Sequence, residues 1–240
     1  MVGALLLRGM LVGLFAGLLA FGFAKAFGEP QVDVAIGFES HMAQTRGEAP
    51  EPVLITREVQ STWGLFAGVI VFGTALGGLF ALVFAFLLGR MGAFGPRTLA
   101  ALLALAAFLA LVVFPDLKYP ANPPAIGNPD TIGHRTALYF GFLVISIAAT
   151  SFSVFVARKL SRTLGAWNGG IAGGAVLVAA LALAMILLPD VNEVPTGFPA
   201  ATLWRFRVAA LGLQAVIWLS IGLGFGWLTE QQAGRRIGRL

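Results

Sequence analysis

Six long apolar stretches run through this chain, at about Ala4–Ala24, Thr62–Leu88, Thr98–Phe114, Thr136–Val156, Gly170–Leu188 and Phe206–Leu228. Each approaches or exceeds the roughly 17–25 residues that a helix needs to cross a hydrocarbon core about 30 Å thick. The expected fold class is an all-α integral membrane protein, with six transmembrane helices as three consecutive helical hairpins. These form a single polytopic domain over residues 1–240. A pseudo-threefold arrangement about the membrane normal is compatible with this pattern.

The charges between the stretches are sorted by sign. Loops 89–97 and 157–169, the tail 229–240 and Arg8 hold nine Lys and Arg against Glu230 alone, a net +8. The opposite connections, 25–61, 115–135 and 189–205, hold with their flanks Lys25, Arg46, Arg57, Lys118, Arg135, Arg205 and Arg207 against ten acids, a net −3. Lys and Arg mark the cytoplasmic side, so both termini are expected inside and the acidic loops outside. Charged residues make up only 11% of the chain, against about 25% in soluble domains. A net charge of +5 could suit nucleic acid, but these cations line one membrane face. There they set topology and meet anionic headgroups. With zero cysteines, disulfides, thiolate metal sites and thiol catalysis are excluded. Ala24-Lys25-Ala26 resembles a signal cleavage site after an apolar run. The Gly9, Gly13, Gly17 ladder favours a retained packing helix instead; cleavage would leave five.

Internal similarity supports the hairpins. The third stretch ends in Phe114-Pro115-Asp116 and the fifth in Leu188-Pro189-Asp190, each followed by a proline-bearing loop. Arg135 and Arg205 open the next helices, with Gly141 and Gly212 at similar distances behind, and Arg57 before Gly64 is a fainter copy. Gly9/Gly13/Gly17, Gly64/Gly68, Gly73/Gly77 and Gly169/Gly173 place small residues one turn apart for close helix packing. Gly222, Gly224 and Gly226 have period two and are expected to loosen the last helix. Gly28-Glu29-Pro30 reads as a helix start. Val32, Ile36 and Phe38 then suit a short interfacial helix, and Val32-Asp33-Val34 also suits a strand. Glu48-Ala49-Pro50-Glu51-Pro52 is expected to be extended, and the five prolines of 115–130 pre-order that loop.

The chemistry on offer is sparse. No Walker motif, GxSxG elbow or HExxH helix is present, and the six stretches contain no Asp or Glu. Carboxylates in the membrane interior are how many pumps relay protons or bind coupling cations, so this absence argues against such a pump. Arg8 lies close enough to the inner end to snorkel. Thr74, Ser146, Thr150, Ser151, Ser153, Gln214 and Ser220 supply the intramembrane polarity. Ser and Thr commonly bond their own helix backbone. Gln214 is the pore-lining candidate, with helix packing as its alternative.

Glu39-Ser40-His41-Met42 joins carboxylate, imidazole and thioether, a set that suits cobalt or nickel, and Asp33 joins if the segment folds back. Glu39, His41, Met42 and His134 are thus the metal candidates, against simple solvation. Asn128-Pro129-Asp130-Thr131 looks like a helix entry capped by Asp130 or Thr131. Asp116–Arg135 and Asp190–Arg205 are expected to pair across their hairpins. With Asp130 and Glu193 these residues form either structural ion pairs or a metal-attracting vestibule. Asp116, Asp130, His134, Asp190 and Glu193 are the acid–base groups that a membrane-embedded enzyme would have to use; a non-enzyme is expected.

The run from Lys118-Tyr119-Pro120 through Asn128-Pro129-Asp130-Thr131-Ile132 to Arg135-Thr136 resembles the CbtA family of predicted cobalt transporter subunits. So do Glu29-Pro30 with Val32–Glu39, and Pro195-Thr196-Gly197-Phe198-Pro199-Ala200 leading to Leu203-Trp204-Arg205-Phe206-Arg207. The resemblance implies Co2+ uptake across the bacterial inner (cytoplasmic) membrane in support of cobalamin supply, beside a small one-helix partner, CbtB, with a histidine-bearing tail. Co2+ is then cargo, with no permanently bound cofactor. A non-transporting scaffold subunit is the alternative, and a homo-oligomer is compatible with either.

Overall fold

The computed structural model describes residues 2–47, 54–92 and 94–237, with side chains through Gln232. The expected extended stretch 48–52, Arg239 and the side chains of Arg235 and Arg236 lie outside the described residues. Among the described residues the chain is helical and contains no strand. In lipid this is the economical solution, because a helix satisfies its backbone hydrogen bonds within one segment. Among the described residues, five helical segments are long and apolar enough to cross a membrane: Val2–Thr45, Arg57–Leu87, Pro96–Lys118, Pro129–Leu187 and Ala200–Gln232.

Helix α1 (Val2–Phe23) does not end where the apolar stretch does. It passes through a π turn, Ala24–Gly28, into α2 (Glu29–Thr45). The expected helix start at Glu29-Pro30 is therefore a continuation, and the strand alternative at Val32-Asp33-Val34 is overturned. Proline has no N–H and its ring clashes with the carbonyl four residues back. The wide turn absorbs this: Glu29 N–H donates to the Ala24 carbonyl, five residues back, immediately before Pro30. The same device recurs where α5 (Pro96–Phe108) passes through a π turn, Leu109–Val113, into α6 (Phe114–Lys118). Pro115 again stands two residues beyond the turn. A short helix α3 (Arg57–Val59), capped by Thr56, runs through a third π turn, Gln60–Gly64, into α4 (Leu65–Leu87).

The chain forms two compact units. The first comprises Met1–Phe108, Asn122–Ala125 and Pro199–Leu240. Here α1 and α4 run antiparallel at backbone contact: a Cβ on Gly9 or Gly13 would strike the carbonyl of Gly77 or Gly73, and one on Gly17 would lie 2.9 Å from the Val69 carbonyl. The glycine ladder thus packs as its spacing suggests, whereas a Cβ on Gly68 would meet nothing within 4 Å. Helix α8 (Ala200–Ile237) lies antiparallel to both α1 and α5. A Cβ on Gly224 would meet Val12 at 3.1 Å, and one on Gly226 would meet Ala100 at 3.1 Å, with Gly222 against Ala104. These glycines hold α8 in contact with its neighbours, which corrects the expectation that they loosen it: Gly222 and Gly226 share one face and Gly224 serves another. Phe225 fills the centre, with ring centroids 5.0 Å from Phe84 and 5.4 Å from Phe80.

The second unit comprises Leu109–Ala121 and Ile126–Phe198. Its helix α7 (Ile132–Leu187) has 56 residues, but Gly165 at φ 80° and ψ 160° is not helical. That backbone conformation suits glycine because no Cβ opposes it. The two arms pack on each other: a Cβ on Gly173 would lie 2.6 Å from Ala157 Cβ and 2.8 Å from the Ser153 carbonyl, and Gly169 abuts Ser161. Phe142 and Ala149 of the first arm form a core with Leu181 and Ala184 of the second.

Candidate functional site

In the second unit the loops after α6 and α7 are laced together at one end. Lys118 ends α6 and buries its stem, leaving 8% of its side chain exposed; Nζ donates to the Met185 carbonyl at 2.9 Å and pairs with Asp190, whose side chain is 91% exposed. Met185 lies in the last turn of α7, so the ammonium caps one of the carbonyls that a helix end leaves without a donor. Tyr119 Oη donates to the Pro189 carbonyl at 2.8 Å, and its burial raises the phenol pKa above the ordinary value.

Glu193 is the hub of the same cap. Thr131 Oγ1 donates to one carboxylate oxygen at 2.7 Å, the Asn128 N–H to the other at 2.7 Å, and Arg135 Nε lies 3.3 Å away. The Thr131 hydrogen bond, then the Asn128 amide, with Arg135 and His134 behind them, hold its pKa below the usual carboxylate value against a smaller opposing effect of desolvation. Arg135 also reaches the Asn128 carbonyl at 3.2 Å and lies against Gly127, where φ is 119° and a Cβ would meet the guanidinium carbon at 2.6 Å. Asn128, rather than Asp130 or Thr131, is the side-chain cap: its Oδ1 accepts from the Asp130 N–H at 3.0 Å and opens the 3-10 turn Pro129–Thr131. Thr131 is spent on Glu193 instead.

In the first unit, one end carries Arg57 between Glu29 and Asp33, with Nε 2.9 Å from Asp33 Oδ1. Glu29 and Asp33 are one turn apart on α2, so a single guanidinium spans both. Lys25 Nζ reaches the Ser61 carbonyl at 3.1 Å, and Arg207 donates to Asn122 Oδ1 at 2.8 Å. The opposite end is basic: Arg8 donates to Thr229 Oγ1 at 2.8 Å and to Gln232, and Arg97 lies 3.7 Å from Glu230. Arg8 therefore ties α1 to α8.

The residues singled out in the sequence fall into different settings. Glu39, His41 and Met42 lie on α2, with Glu39 and His41 exposed. Two residues apart on a helix, those two point to opposite sides. His134 is exposed in the first turn of α7, and Arg205 is exposed in the second turn of α8. Among the described residues no three His, Asp or Glu side chains come together as a metal-holding group. Arg135 takes Glu193 where Asp116 was expected, and Asp190 takes Lys118 where Arg205 was expected. Gln214 is half-buried in α8. Sequence reasoning missed the Lys118 latch and the Glu193 hub. The repeated Pro-Asp ends point to these loops, but partner choice depends on three-dimensional placement.

A model of the family described as "Probable cobalt transporter subunit (CbtA)" matches residues 2–230. No curated protein and no solved structure matches the chain.

Proposed function

The chain belongs to the CbtA family of probable cobalt transporter subunits, and from that premise we propose that it is the membrane-spanning subunit of a Co2+ uptake system. In this reading it sits in the bacterial inner (cytoplasmic) membrane with both termini inside. It supports cobalamin supply and works with a small histidine-bearing subunit of the CbtB kind. The family match carries the assignment.

We read the fold as six crossings in three hairpins, with α7 contributing two. At about 1.5 Å per residue its 56 residues would extend roughly 84 Å if straight, far beyond one bilayer. Gly165 and the packed arms favour a hairpin. The antiparallel course of α5 and α8 also suits a chain that returns, between them, to the face it left.

The division of labour follows from charge. The described carboxylates Glu29, Asp33, Asp190 and Glu193 are already held by Arg57, Lys118 and Arg135. We therefore assign them to holding the outer caps in shape and setting a weakly negative approach. Glu39, His41, Met42 and His134 serve as transient contacts at the rim. An unpaired divalent ion is heavily penalised in a low dielectric, and we assign the ligands that strip its water to the partner's histidines. An interior-negative potential of about 100 mV contributes about 2.3 kcal/mol per charge, hence about 4.6 kcal/mol for Co2+. The lack of acids in the apolar stretches favours one alternative, a scaffold that stabilises the true transporter. Radiolabelled Co2+ entry into energised vesicles containing this chain, the partner, or both separates the two readings. Entry only with both supports the proposal; equal entry without this chain makes it a scaffold, and equal entry without the partner removes the handover.

A further inference from the structure

We infer that the second unit carries an oxygen-lined station for a divalent cation within the membrane, built from the π turn Leu109–Val113 and the hydroxyls of Ser146 and Thr150. This deepens the transport reading and rests on it. A π turn bonds each carbonyl to the N–H five residues on, and for Ala110 that residue is Pro115, which has no N–H. The Ala110 carbonyl is bonded instead by Ser146, whose wholly buried hydroxyl donates to it at 2.7 Å. One lone pair on the carbonyl and the lone pairs on Ser146 Oγ remain.

Thr150 lies one turn further along the same arm of α7, and its buried Oγ1 has no hydrogen-bond partner among the described residues. Threonine in a helix ordinarily returns its hydroxyl to its own backbone, so a buried hydroxyl that does not is costly and calls for a ligand. Ser153, 8% exposed, continues the polar edge. Hydroxyl and carbonyl oxygens are the groups that replace a cation's water where no carboxylate is present. The apolar stretches of this chain contain no carboxylate. We therefore place here the step at which a partly hydrated divalent ion exchanges waters for protein oxygens on its way inward.

The test uses the full chain with its partner in energised vesicles, read by initial Co2+ entry and by thermal unfolding of the purified complex. Thr150→Val keeps the shape and removes the hydroxyl; it should lower entry roughly tenfold while melting at or above the wild type. Thr150→Ser should restore entry, and Ser146→Ala, which frees the Ala110 carbonyl, should lower it. If Thr150→Val carries Co2+ as fast as the wild type, the hydroxyl is only a burial defect and the station is overturned. If the wild-type complex carries no Co2+, the transport reading fails and the station goes with it.

Discussion

Replacing Lys118 by Met tests whether the cap of the second unit is held by a capped helix end or by an ion pair. The side chain is 8% exposed and its ammonium donates to the Met185 carbonyl at 2.9 Å, while its acidic partner Asp190 is 91% exposed. A hydrogen bond to a charged group contributes about 1.5–3 kcal/mol, and a cation at a helix C-terminus adds about 0.3–1 kcal/mol. The pair with an exposed carboxylate is worth only about 0–1 kcal/mol. Met retains the buried stem and offsets part of the loss, so Lys118→Met should cost about 2 kcal/mol. Asp190→Asn should cost under about 1 kcal/mol, because it leaves the carbonyl bond intact. Reversible unfolding in mixed micelles, followed by tryptophan fluorescence, measures both. If Asp190→Asn destabilises as much as Lys118→Met, the ion pair holds the cap and the argument from burial is wrong.

Other outcomes follow from the same geometry. Gly13→Leu should separate α1 from α4 and cost at least about 3 kcal/mol, since its Cβ would strike the Gly73 carbonyl. Gly68→Ala, with nothing within 4 Å, should be neutral or stabilising by up to about 1 kcal/mol; unfolding titrations check both. Glu193 has a depressed pKa when folded, so its contribution is present above the unfolded carboxylate pKa and is lost as pH falls through the folded value. Glu193→Gln should therefore flatten the acid limb of a melting-temperature profile against pH, and an unchanged limb would refute the hub. With no native cysteine, Asp130→Cys and Thr163→Cys report sidedness without background. An impermeant thiol reagent on intact cells should label the first and reach the second only after permeabilisation. The reverse pattern would invert the proposed orientation.

Much of the helical framework was legible because membrane-length apolar runs and small-residue spacing act locally. The Gly9/Gly13/Gly17 and Gly73/Gly77 ladders meet as their one-turn period suggests. The continuation of α1 past Pro30 was not legible, since proline normally starts or ends a helix and only the wide turn before it reconciles the two. Gly222, Gly224 and Gly226 misled for a related reason. A period of two reads as irregular along the chain, yet on a helix it serves two neighbours at once. The polar caps were legible only as loops rich in Pro, Asp and Arg. Lys118 choosing Asp190 and Arg135 choosing Glu193 depend on where whole helices end relative to one another, which no local pattern records.

The bulged turn at Ala24–Gly28 also sets a rotational phase. An extra residue in a helix swings everything beyond it by about 100°. Below the bulge, α1 keeps its glycines toward α4; beyond it, the next segment aims Glu29 and Asp33 at Arg57. Excising one residue there would leave the lower seam in register and dial the upper carboxylates away from their guanidinium, so a single codon uncouples the rim from the shaft.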